Sequence, residues 1–294
     1  TVMTGLALVA GLGVATVHPE GLRAVHGLEA VSSSLSTAVF TVAGFMGFAG
    51  GALLSASLTA RFGLESLKWC YLAAPASAVL LFLSGIRVPL ETETDQTRCA
   101  MPDSRADIPA VPFAPLFVMA AVLATCSQIQ ATLLPSYLHK EAGFSLPFSG
   151  LSFTLFGIGG TVGAITWGAL APRIGHLRVL LFSSFAGAPL IALYLLLAPR
   201  SQAAAVLLTF TGFVVYTGYP LCVTLARHAF SSLRFGQRMG LISGGTWAIA
   251  AVALWALGPL TEHTGIGPLL HLIWIGYLAV GILTVVEIRR QRPA

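Results

Sequence analysis

Residues 267–287 read GPLLHLIWIGYLAVGILTVVE, an apolar run that meets its first formal charge only at Glu287. A helix of about 20 predominantly apolar residues spans the hydrocarbon of a bilayer. Only closed backbone hydrogen bonding is tolerated at that depth. Eight further runs of the same kind lie upstream, at 1–17, 35–60, 69–87, 113–136, 147–171, 177–198, 204–226 and 239–260. The nine predicted spans fill nearly all of the 294 residues, and the composition agrees: 56% hydrophobic, 9% charged, with a mean hydropathy of +0.84. No soluble domain of this length hides that much apolar surface. The fold class is therefore all-α, a polytopic membrane protein whose solvent is lipid.

A net charge of +5 and a pI near 9.3 would suit nucleic acid. Here the basic residues sit dispersed at the ends of the spans, which is the mark of a positive-inside bias. With the C-terminus cytoplasmic, the inside segments carry Arg23, Arg87, Arg98, Arg105, Arg173, Arg178, Arg227, Arg234, Arg238, Arg289, Arg290 and Arg292. The outside loops keep only Arg61, Lys68, Lys140 and Arg200, so the 16 basic residues divide 12 to 4. Residue 1 then lies outside. The chain opens Thr1-Val2-Met3 inside an apolar run, without the basic start of a signal peptide, which leads us to expect a longer parent. Cys70, Cys99, Cys126 and Cys222 are scattered, with neither a disulfide framework nor metal-like spacing. No metal, cofactor or nucleic-acid partner is expected.

The longest hydrophilic interruption, Val88 to Ala110, holds five acids, two arginines and three prolines, a composition suited to a flexible linker. It divides the chain into a partial N-terminal half (1–87), a central cytoplasmic linker (88–111), a six-span C-terminal half (112–288) and a basic tail (289–294). The three spans before the linker resemble the last three. His18-Pro19 answers Tyr219-Pro220 at an offset of 220 − 19 = 201, Gly44 answers Gly245 at 201, and the loop glycine Gly63 answers Gly265 at 202. Anchors at a nearly constant offset point to a parallel six-helix repeat. Six plus six is the layout of the major facilitator superfamily, and this chain then lacks helices one to three.

Gly11 to Arg23, GLGVATVHPEGLR, is the most distinctive segment. Ionisable groups beside a proline at the end of a Gly-rich span are costly in lipid and mark function by default. Pro19 bends the helix and frees a carbonyl. The alternative places His18 and Glu20 at the interface as helix caps. Three glycine patterns, Gly47-x-x-x-Gly51 after Gly44, Gly159-x-x-x-Gly163 before Gly168, and Gly240-x-x-x-Gly244, suit close helix packing. Pro172-Arg173-Ile174-Gly175-His176-Leu177-Arg178 is a short basic turn, similar to the superfamily's inter-helix loop signature but with Pro172 in place of the acid. Gln128, Tyr216 and Tyr219 are polar groups within apolar spans and are expected to line a cavity.

His18-Pro19-Glu20 with Arg23, a Gly-rich following span, Arg238 to Gly244 and Glu262-His263-Thr264-Gly265 together resemble the fosmidomycin-resistance family of major facilitator efflux proteins. Val17 stands where that family has an aromatic residue. The resemblance runs from the family's fourth helix to its twelfth. It implies proton-coupled efflux of a small drug-like molecule by alternating access, in a multi-pass protein of a bacterial inner membrane, acting as a monomer. On that reading Glu20 carries the proton, His18 is its hydrogen-bond partner or a substrate contact, and Arg23 makes an anion or gate contact. Two other readings stand beside it: a non-transporting remnant, and an intramembrane enzyme using His18 and Glu20. The enzyme reading lacks the second histidine or acid at ligand spacing.

Overall fold

The computed structural model describes residues 33–85 and 111–291, together with Gly5, Val9 and Gly13. The described residues are helical and contain no strand; a single pair of backbone bonds ties Val111 and Phe113 to Phe230. Seven helical stretches are long and apolar enough to cross a membrane: Leu64–Leu83, Phe113–Lys140, Leu146–Ile174, His176–Leu197, Ala204–Arg227, Gly236–Thr264 and Gly267–Arg290. The 30-residue helix α1 (Ser33–Phe62) precedes them. The run at 1–17 lies outside the described residues apart from its three isolated positions. Every other predicted span is thus a helix, and the chain is an all-α polytopic membrane protein.

Contacts divide the chain into two units, Thr1–Gly47 with Lys68–Cys99, and Phe48–Leu67 with Ala100–Ala294. In the first, α2 (Ala73–Leu83) buries no side chain and exposes Leu80, Leu81, Phe82 and Leu83. A 3₁₀ turn, Leu64–Leu72, precedes it.

The second unit is a bundle of α3 (Phe113–Lys140), α4 (Leu146–Ile174), α5 (His176–Leu197), α6 (Ala204–Val215), α7 (Gly218–Arg227), α8 (Phe235–Gly240), α9 (Thr246–Thr264) and α10 (Gly267–Arg290). Its turns are built by local chemistry. Ser145 accepts a bond from the Phe148 amide to start α4, with Pro147 in the first turn. Gly175 (φ +106°) and Gly265 (φ +78°) hold left-handed conformations between α4 and α5 and between α9 and α10, where a side chain would be strained. One cap could not be read locally. Glu141, just beyond α3, accepts from the Ile266 amide and, at 3.0 Å, from the Gly267 amide, placing a carboxylate on the N-terminus of α10.

Helix α3 is the hub, packing on α4, α7, α9 and α10. Leu116, Met119 and Leu123 are fully buried along it, against Leu180 of α5, Leu225 of α7 and Leu270 and Ile273 of α10. Helix α10 meets it through Thr284, whose hydroxyl lies 3.5 Å from the Met119 sulfur. The closest approach is α4 on α6. A Cβ at Gly159 would overlap the Thr209 carbonyl, one at Gly163 the Phe213 carbonyl, and one at Gly212 the Phe156 carbonyl. Trp167 closes the same seam by donating to the Phe213 carbonyl at 3.0 Å. Within this unit the second half of α1 also meets α4: the Thr154 hydroxyl donates to the Ala49 carbonyl at 2.6 Å, and Gly157 admits Ala49.

Of the three glycine patterns, the pair in α4 is therefore packed to backbone contact. Gly44, Gly47, Gly51, Gly168, Gly240 and Gly244 have no atom within 4 Å of where a Cβ would stand. This difference is measurable. Gly159→Val forces the α4–α6 seam apart and is expected to cost about 3 kcal/mol or more, since overpacking commonly costs about 1–3. Gly168→Ala has room and is expected to gain a few tenths of a kcal/mol, up to about 1, from helix propensity. Thermal melts of the two variants in detergent should move in opposite directions.

Candidate functional site

His18, Pro19, Glu20 and Arg23 lie outside the described residues. The remaining expected residues fall on the C-terminal bundle. Its central feature is a pair of interrupted helices. Pro220 has no N–H to give to the Tyr216 carbonyl, and the chain turns at Tyr216 and Thr217 between α6 and α7. Opposite, α8 passes into α9 through a π-helical turn, Leu241–Gly245. Such turns insert one residue per turn and occur often where a helix serves function.

Tyr219 joins the two interruptions. Its hydroxyl donates to the Ile242 carbonyl at 2.9 Å and lies 3.2 Å from the Thr246 hydroxyl. Thr246 donates to the same carbonyl at 2.7 Å. The Tyr219 ring stands edge-on to Trp247, with centroids 5.5 Å apart. Trp247 is exposed, and Thr246 is buried. Tyr216 takes another direction. Its ring covers Gly160, where a Cβ would stand 2.6 Å from the ring, and packs on Phe156 at 5.7 Å. Gln128 is half-buried on α3, and its neighbour Gln130 is buried. Tyr219 is thus brought into a polar cluster with Thr246, whereas Tyr216 is brought into an aromatic one. Neither Thr246 nor the π turn was anticipated from sequence. The Ser243-Gly244-Gly245 run was the available signal, since small flexible residues ease the wider turn.

The basic turn between α4 and α5 leaves Arg173 exposed, and Arg178 reaches back to the Ile174 carbonyl at 3.4 Å. At the same end of the bundle Arg238 donates to the carbonyls of Ala229 and Arg227, fastening the start of the π-bearing segment to the end of α7. Glu287, only 2% exposed, is paired at 2.9 Å with Arg290. Among the described residues no group of three or more His, Cys, Asp or Glu side chains is placed to hold a metal ion.

Comparison with known proteins gives three matches. A model of the Major Facilitator Superfamily matches residues 116–294. The fosmidomycin resistance protein of Escherichia coli (strain K12) is 23% identical over 297 aligned residues, which cover 97% of this chain and 70% of that protein. The uncharacterized MFS-type transporter YfnC of Bacillus subtilis (strain 168) is 26% identical over 282, covering 93% of this chain and 67% of its own. No solved structure matches.

The double engagement of the Ile242 carbonyl sets an expectation for mutants. Tyr219→Phe and Thr246→Val each remove one hydroxyl donor and should cost about 1 kcal/mol apiece. Removing both strips the carbonyl of its side-chain donors, so the double mutant should lose about 0.5 kcal/mol or more beyond the sum. Denaturation of the four proteins in detergent reads this coupling directly.

Proposed function

The chain belongs to the Major Facilitator Superfamily, and on that premise we propose that it is a proton-coupled exporter of a small drug-like molecule, working by alternating access. A secondary transporter needs no covalent chemistry, and no catalytic residue is assigned. The observation that carries the reading is the facing pair of interrupted helices at Tyr216–Thr217 and Leu241–Gly245, bridged by the Tyr219 hydroxyl. In secondary transporters interrupted helices supply freed backbone groups at the substrate site and allow one part of the bundle to move against another. Tyr219 and the exposed face of Trp247 offer a hydroxyl and an aromatic surface to a substrate, and Gln128 an amide. Tyr216 presents ring rather than hydroxyl, so it contributes shape.

Efflux and a drug-like substrate are supported by the 23% identity to a protein named for fosmidomycin resistance. Proton coupling is assigned to Glu20, with His18 and Arg23 as its partners, because a carboxylate beside a proline at the end of a span is placed to be partly desolvated. Desolvation raises a carboxyl pKa toward neutrality, which a proton carrier needs. In the domain arrangement we propose, 1–87 belongs to the N-terminal half, 88–111 links it to the C-terminal half (112–288), and 289–294 is a basic tail. The molecule is a monomer in a bacterial inner membrane with its C-terminus in the cytoplasm.

Two measurements test this. Glu20→Gln keeps shape and hydrogen bonding but removes titration. In the natural gene product, downhill substrate exchange in proteoliposomes should survive while pH-gradient-driven uphill efflux is lost. Normal uphill transport by the mutant would return His18 and Glu20 to the role of interfacial caps. For orientation, Cys99 in the linker should resist a membrane-impermeant thiol reagent in intact cells and react after permeabilisation. Ready reaction from outside would invert the topology.

A further inference from the structure

Helices α9 and α10 are consecutive and both lie along α3, yet they scarcely touch each other. Between them opens a cavity of about 590 Å³, floored by α3 and walled by one face of each neighbour. Ala121, Cys126 and Ile129 of the floor are buried, while Val118, Ile249 and Leu272 at the rim are 48%, 43% and 38% exposed. Gly276 keeps the α10 wall flat, because a side chain there would collide with the Cys126 sulfur.

The lining carries two side-chain polar groups, and both are engaged. The Thr125 hydroxyl donates to the Ala121 carbonyl at 2.8 Å, and the Cys126 thiol to the Ile273 carbonyl at 3.5 Å. Water needs two to four polar partners to occupy such a space, and apolar cavities stay dry. An unfilled gap forfeits dispersion contacts along its whole wall. The opening faces the bilayer between two membrane spans, so hydrocarbon is the medium at its mouth. Its depth fits as well. The floor runs from Phe117 to Ile129, 12 residues, which at about 1.5 Å per residue is about 18 Å. One leaflet of a hydrocarbon core about 30 Å thick offers about 15 Å.

We propose that this crevice is a binding site for a single acyl chain of a membrane phospholipid, inserted between α9 and α10 against α3. The chain completes the packing of α9, the helix that carries the π turn, and so makes the behaviour of that helix depend on the lipid around it. The inference rests only on the bilayer location of the bundle, and it stands whether or not Glu20 carries a proton.

The test uses the natural gene product, reconstituted in bilayers containing a phosphatidylethanolamine with a diazirine in mid-chain. After photolysis, adducts are mapped by mass spectrometry. Adducts at Ala121, Cys126, Ile129 and the walls at Ala253 and Leu257 are expected in several-fold excess over the outward faces at Val252, Trp255 and Ile282. Ala253→Trp should fill the space and abolish the floor adducts while leaving those at Ile282 unchanged. Ala256→Phe, nearer the rim, serves if the first variant does not fold. Floor adducts no more frequent than outer-face adducts would overturn the proposal, as would their absence because protein covers the crevice. Modification of Cys126 by a membrane-impermeant thiol reagent would overturn it too, since the space would then hold water.

Discussion

Hydrocarbon offers a peptide group no hydrogen-bond partner, and this structure is organised around that deficit. Each span keeps its backbone bonds within itself, and where a helix is interrupted a side chain stands in. Pro135, Pro172, Pro189 and Pro259 all lie inside helices. The hydroxyls follow the same rule from the other side. Thr125, Ser152, Thr166, Thr211, Thr224 and Thr284 each return a bond to the carbonyl one turn back. A hydroxyl satisfied in this way can face lipid or core without penalty. Tyr219 departs from the pattern by bonding to a different helix, and it does so where the π turn disturbs the regular ladder.

With lipid tails as apolar as leucine, burial alone does not draw these helices together. Close approach does. The α4–α6 seam reaches backbone-to-backbone contact because Gly159, Gly163 and Gly212 have no side chains, and that brings carbonyl dipoles and carbon atoms into dispersion range along most of two helices. The contrast between α9 and its neighbours has the same origin. Where α9 and α10 would meet, no small-residue seam exists, and the space between them stays open.

The spans were legible because length and apolarity are one-dimensional properties. The turns were legible at Gly63, Gly175 and Gly265, where only glycine tolerates the left-handed backbone. The facing of the helices was not. A helix that is apolar all round has no stripe to read, so the sequence could not say that Gly159 would be packed while Gly168 in the same helix faces open space. The cap of α10 by Glu141 spans 125 residues and follows no local rule. Within the candidate site, Tyr219 stood out as a polar residue in an apolar span, but its partners depended on a π turn that propensity does not encode. His18 and Glu20 carry a motif legible in sequence, and their geometry lies outside the described residues.

The hub position of α3 has a consequence for how the protein is made. Cys126 waits for Ile273, 147 residues later, and Met119 for Thr284, 165 residues later. At synthesis rates of about 5–20 residues per second, the α10-facing side of α3 stands unpartnered in the bilayer for about 10–30 s. Lipid or the insertion machinery must shield that face throughout, and α3 must neither slip out of the membrane nor pair with an earlier span. Its 28 residues, anchored by His139 and Lys140 in the last turn, suit a helix that has to hold its register alone before its final neighbour arrives.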